Sequence, residues 1–202
     1  MTHSLICIGD SYTIGENVPM HENFPYQTLQ KLRKLNLKFN APEIIAKTGW
    51  TSFELIEHLN SIELQESYDF ATLLIGVNNQ YRGLSIEDFS KDFEFLINKS
   101  LKLIQNKANR LIVLSIPDWG VTPFAKDRNE QEISNEINEY NVVCKSIAEK
   151  YKAHFIDITY ETRKAKYQLD LLTTDELHYS AIEHEIWANK IVDCIVLELN
   201  KN

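Results

Sequence analysis

Five short runs of mainly branched aliphatic residues, at 5–8, 43–46, 72–77, 111–116 and 154–158, recur along the chain with longer amphipathic stretches between them. A run of four to six residues that is apolar on both faces suits a strand buried on both sides, as in a parallel sheet covered by helices. The intervening stretches at 25–37, 52–64, 86–107 and 130–151, and a last one at 181–199, carry their apolar residues at helical spacing. The alternation predicts a three-layer α/β/α sandwich around a five-stranded parallel sheet. Two helix starts carry capping-box signatures, Thr51 with Glu54 and Ser180 with Glu183.

With 202 residues, 44% of them apolar, and neither repeats nor a Pro- or Gly-rich linker, the chain is expected to form a single domain over 1–202. The net charge of -8 has no basic stripe within it, which argues against a nucleic-acid partner. No apolar run approaches the ~20 residues of a membrane span. Three cysteines, Cys7, Cys144 and Cys194, lie in apolar surroundings without metal-type spacing and read as buried thiols. The N-terminus lacks a basic region followed by a long apolar stretch and a cleavage site, so a cytoplasmic location is expected. Oligomeric state is not legible.

In open α/β sheets, ligands bind beyond the carboxyl ends of the strands, so the residues just after each strand are where chemistry is sought. The first strand ends in Gly9, Asp10, Ser11, Tyr12 and Thr13; the second leads to Thr48, Gly49 and Trp50; the third to Gly76, Val77, Asn78 and Asn79. Near the C-terminus, Asp175, Glu176, Leu177 and His178 precede the last helix. Taken singly, each block has an ordinary reading as turn or cap. Together they set a hydroxyl, a close-approach glycine, an amide and an acid–imidazole pair at one rim.

The four blocks resemble those of the SGNH hydrolases, the GDSL-like esterases and lipases, and the resemblance spans nearly the whole chain. It implies a flavodoxin-like fold and a serine esterase that cleaves a small-molecule ester and needs no cofactor or metal. Carried over by motif, Ser11 is nucleophile, and Ser11, Gly49 and Asn78 form the oxyanion hole. Asp175 and His178 are the remaining catalytic pair. The chain departs from the family in having Glu176 where glycine is common and Tyr179 where proline is common, and Glu176 then competes with Asp175 as partner of His178.

The chemistry has its own logic. A serine hydroxyl needs an adjacent base to become nucleophilic, and a carboxylate on the far ring nitrogen of that base fixes its tautomer. An imidazole ordinarily titrates near ~6.5, so the rate should fall on the acid side. Asp10 reads as a structural hydrogen-bonding residue behind Ser11. His3, His21, His58, His154 and His184 are scattered and read as ordinary surface or core residues. Tyr12, Trp50, Asn79, Tyr81, Arg82, Trp119 and Phe124 are candidate pocket residues, the last two from the irregular stretch at 117–129. With no lid and only short segments after the strands, short acyl chains are favoured.

Rival readings stay open. A metal hydrolase using Asp10, Asp175, Glu176 and His178 lacks an HExxH pair or a histidine cluster. The α/β-hydrolase elbow GxSxG is absent. An acyltransferase using the same acyl-enzyme, and a silent ligand-binding module on the same scaffold, are the alternatives to hydrolysis.

Overall fold

The computed structural model describes residues 2–201. Five strands form one parallel sheet, β1 (Leu5–Gly9), β2 (Glu43–Ala46), β3 (Phe70–Leu74), β4 (Leu111–Leu114) and β5 (His154–Ile156), in the order β2-β1-β3-β4-β5. β1, β3 and β4 are buried along their whole length, which is why their sequences do not alternate. The edge strands β2 and β5 are half-buried, and the Glu43 and His154 that open them fit that exposure.

The chain steps from β1 outward to β2, then crosses back over β1 to β3 and continues to β5. Right-handed crossovers put the first connecting helix on one face and the next three on the other. Accordingly α2 (Phe24–Lys34) packs on α8 (Ala181–Leu199), while α3 (Ser52–Ser61), α5 (Ile86–Leu103) and α6 (Glu130–Lys150) pack in series. In α2, Asn23 caps the first turn by accepting from Tyr26 N, and Pro25 sits where no amide is needed. Its buried face is Phe24, Pro25, Thr28, Leu29 and Leu32.

The five long helices lie within a few residues of their predicted positions, β1 and β2 match within one residue, and β4 and β5 are two residues shorter at their carboxyl ends. The third strand is displaced: β3 covers Phe70–Leu74 rather than 72–77, because Gly76 turns at φ 130° and Val77 opens a helix. Three one-turn helices escape sequence reading: α1 (Ser11–Ile14), α4 (Val77–Tyr81) and α7 (Thr159–Thr162). They are too short to establish a period, and each follows closely on a strand.

Two expectations need correcting. The Thr51–Glu54 capping box forms in both directions, but the Ser180–Glu183 one does not. Ser180 donates its hydroxyl to Asp170 O, and Glu183 turns inward to accept from Trp187 Nε1 at 2.9 Å. Cys7 and Cys144 are buried thiols, whereas Cys194 is only half-buried. Among the described residues no helix is long and apolar enough to cross a membrane.

Candidate functional site

Gly9 lets the first strand turn at once into α1. A Cβ there would stand 2.2 Å from both Leu74 O and Thr13 Oγ1, so no larger residue fits between β1 and β3. Asp10 then caps α1 by accepting from Tyr12 N at 3.0 Å, and burial pushes its carboxyl up to about 7. Its place behind the first residue of the helix is that of a structural cap, and Ser11, next along, is 5% exposed at the floor of a pocket.

The second block turns at Gly49, at φ 84°. This turn is held from two sides. Arg82 Nη2 donates to Gly49 O at 2.6 Å, and Asn78 Nδ2 donates to Trp50 O at 3.0 Å. An amide side chain has two N–H donors, so Asn78 keeps one for a ligand. Asn79 faces the other way: its Oδ1 accepts from Ser52 N and its Nδ2 donates to Ser52 Oγ, anchoring the start of α3.

The fourth block is a tight loop organised by one carboxylate. Asp175 Oδ1 accepts from Thr173 Oγ1 at 2.8 Å and from the amides of Leu177 and His178, each at 2.9 Å. Its Oδ2 lies 2.6 Å from His178 Nδ1 and also accepts from Asn17 Nδ2 at 2.6 Å. Burial raises the Asp175 carboxyl, but the hydrogen bonds from His178, Leu177 and Thr173 outweigh it and hold the group well below the ordinary range. Glu176 bends the loop at φ 61°, the left-handed region, where glycine carries no Cβ penalty. It is Asp175, not Glu176, that meets the ring. The His178 side chain is 12% exposed and packs edge-on to Tyr12 at 5.7 Å. With Nδ1 on Asp175, Nε2 is the nitrogen available to the pocket.

Ser11, Gly49, Asn78 and His178 line one cavity of about 180 Å³. Tyr12, Tyr81, Trp119 and Phe124 complete its wall with Thr48, Val77 and Leu177. Trp119 stands 5.3 Å from Tyr81 and 6.0 Å from Phe124, and Arg128 stacks over Tyr81 and Trp119 at 5.1 and 5.7 Å. Trp119 is fixed by its Nε1, which donates to Gln80 Oε1 at 2.7 Å. Of the candidate pocket residues, Trp50 is placed against His58 at 4.7 Å and Asn79 under α3, and neither lines the cavity. Arg82 sits behind Gly49. Among the described residues no group of three or more His, Cys, Asp or Glu side chains could hold a metal ion.

Three contacts had no sequence signal: Asn17 to Asp175, Glu16 to the Thr48 hydroxyl, and Arg82 to Gly49 O. His184 is fully buried, accepts from Phe24 N at 3.2 Å, and is held down to about 3 by burial and by the charge of His178.

The profile of the GDSL-like Lipase/Acylhydrolase family matches residues 7–186. No curated protein sequence matches the chain. Among solved structures, the chain is similar to the esterase EstA from Pseudoalteromonas sp., at 17% identity and TM-score 0.73, covering 98% of this chain and 99% of that one. It is also similar to the acetylxylan esterase Axe2 from Geobacillus stearothermophilus, at 18% identity and TM-score 0.75, covering 96% and 94%. A lipase/acylhydrolase from Enterococcus faecalis matches at 18% identity and TM-score 0.73, covering 95% and 94%. At such identities these likenesses speak to fold, and they agree with the five-stranded parallel sheet described above. The family match covers most of the chain, and the chain belongs to the GDSL-like lipase/acylhydrolase family, as a carboxylic ester hydrolase.

Proposed function

We propose that the chain hydrolyses short-chain acyl esters through an acyl-enzyme on Ser11. His178 Nε2 takes the Ser11 Oγ proton as Oγ bonds to the ester carbon. The negative oxygen that forms is held by the amides of Ser11 and Gly49 and by the Asn78 side chain. Each such donor is worth roughly 3 to 4 kcal/mol of barrier in comparable sites. The tetrahedral species collapses, the carbon–oxygen bond to the alcohol breaks, and His178 returns the proton to the departing alkoxide. Water then repeats the sequence on the acyl-enzyme, giving the acid and free Ser11.

The observation that carries this reading is the 2.6 Å contact between Asp175 Oδ2 and His178 Nδ1, on a ring that shares its pocket with Ser11, Gly49 and Asn78. The preference for short acyl groups is supported by the small volume of the cavity, about 180 Å³, bounded on one side by the aromatic wall. It also agrees with the activity of Axe2, an acetylxylan esterase. The test is a series of p-nitrophenyl esters of increasing chain length. Turnover should be fastest from acetate to about hexanoate. Ser11→Ala and His178→Ala should each lower kcat by roughly 10³-fold or more, and the double variant by little more than either. Retention of more than about a tenth of the wild-type rate in either single variant overturns the assignment.

A further inference from the structure

The turn after α1 reaches three of the four blocks of the site, and the proposed chemistry makes no use of it. Gly15, at φ 72°, closes α1, and the amides of Gly15 and Glu16 both donate to Ser11 O at 3.1 Å. From that anchor Glu16 accepts the hydroxyl of Thr48, the neighbour of Gly49. Asn17 then donates to Asp175 Oδ2, the same oxygen that faces His178 Nδ1. Asn17 itself stands at φ 61°, a conformation asparagine enters more readily than most residues. Val18 N donates back to Gly15 O at 3.0 Å and closes the turn.

We propose that Asn17 is a positioning residue: its amide takes one lone pair of Asp175 Oδ2 and thereby fixes the direction in which the other meets His178. The inference rests on the proposed roles of Asp175 and His178. Asp175 Oδ1 is committed to three donors of its own loop, so the loop alone sets that half of the carboxylate. Oδ2 has two partners, and Asn17 is the one outside the loop. A carboxylate oxygen accepts a second hydrogen bond without surrendering the first, and bonds to an ionised acceptor are the strong ones. Because Asn17 hangs from Ser11 O through a two-residue link, the one-turn helix bearing the serine and the loop bearing the base are held at one spacing.

The test uses two variants of the full chain with p-nitrophenyl acetate as substrate. Asn17→Gly removes the amide while suiting the left-handed backbone, and Asn17→Asp sets a second carboxylate against Asp175. Asn17→Gly should lower kcat roughly tenfold with KM unchanged, as expected for one hydrogen bond to a charged group. Its kcat/KM should lose activity at a higher pH on the acid side, since Oδ2 then has more charge to offer the imidazolium. Asn17→Asp should move that limb further in the same direction. The other charged or titratable groups around the pair are Glu16, Glu176, Asp10, Tyr12 and His184, and all are retained in both variants. Burial holds Asp10 up near 7, Tyr12 well above its ordinary value and His184 down near 3 in wild type. The Nδ1 proton of His178, followed by NMR, should shift in Asn17→Gly, a change that a merely structural role would not produce. Wild-type kcat, an unmoved acid limb and an unmoved proton signal in Asn17→Gly overturn the inference. If Ser11→Ala is then inactive, the proposed function stands without it, and if Ser11→Ala is active, both fall.

Discussion

Asp175 presents its two oxygens to different partners, and that asymmetry decides what Asp175→Asn will do. Oδ1 meets only donors, the Thr173 hydroxyl and the amides of Leu177 and His178, so the asparagine carbonyl will take that position. Its NH₂ is then forced toward His178 Nδ1 and Asn17 Nδ2, where two donors already point. The ring must accept at Nδ1 and carry its proton on Nε2, where the proposed reaction needs a base. We expect kcat to fall by up to ~10⁴ with the fold intact, measured on an acetyl ester, while Glu176→Gln stays near wild type. The reverse pattern would make Glu176 the partner. Ser11, Gly49, Asn78 and His178 were legible as candidates because each directly follows a strand or precedes the last helix, where position in the chain signals position in the pocket. Asn17 and Glu16 were not, since their partners lie far away in sequence and an exposed turn gives no pattern. Asn79 and Trp50 lie outside the cavity for the reverse reason: proximity to a strand end says nothing about which side of a one-turn helix Asn79 leaves from, or that Trp50 turns toward His58.

At the scale of elements, α8 is the instructive case. The S-x-x-E pattern at its start reads as a capping box, yet α8 packs on α2 and Glu183 lies on its buried side, bonded to Trp187. Local signals lose here because tertiary burial of the helix outweighs a single cap. Burial pushes the Glu183 carboxyl up to about 7. Between about pH 4.3, the ordinary value for a glutamate, and pH 7, the folded chain keeps a proton that the unfolded chain has released. Stability from this group is therefore complete below about pH 4 and declines as pH rises through 7. Glu183→Gln removes that decline: relative to wild type it should gain about 2 kcal/mol between pH 5 and pH 8, read from urea unfolding at both pH values. An unchanged difference between the two pH values would place an ionised Glu183 in the folded protein throughout. The buried strands were legible as unbroken apolar runs, and the long helices because their hydrophobic period survives tertiary context. The one-turn helices α1 and α4, which present Ser11 and Asn78, were invisible because one turn has no period.

Over the whole molecule, the strand order places β1 between β2 and β3, where the direction of winding reverses. Loops leaving the carboxyl ends of β1 and β3 part to opposite faces there and leave a crevice, and the candidate site occupies it. With the sheet formed from segments throughout the chain, we expect one cooperative unfolding transition, with fluorescence and far-ultraviolet circular dichroism giving the same midpoint in urea. Two separated midpoints would divide the chain into independent parts. Since β1 pairs with both β2 and β3, it gains its second neighbour only after residue 70 has emerged. The loop carrying His178 follows more than a hundred residues later. Under the proposed assignment, a growing chain therefore carries its serine as an ordinary alcohol until residue 178 has emerged and its loop has folded back beside α1.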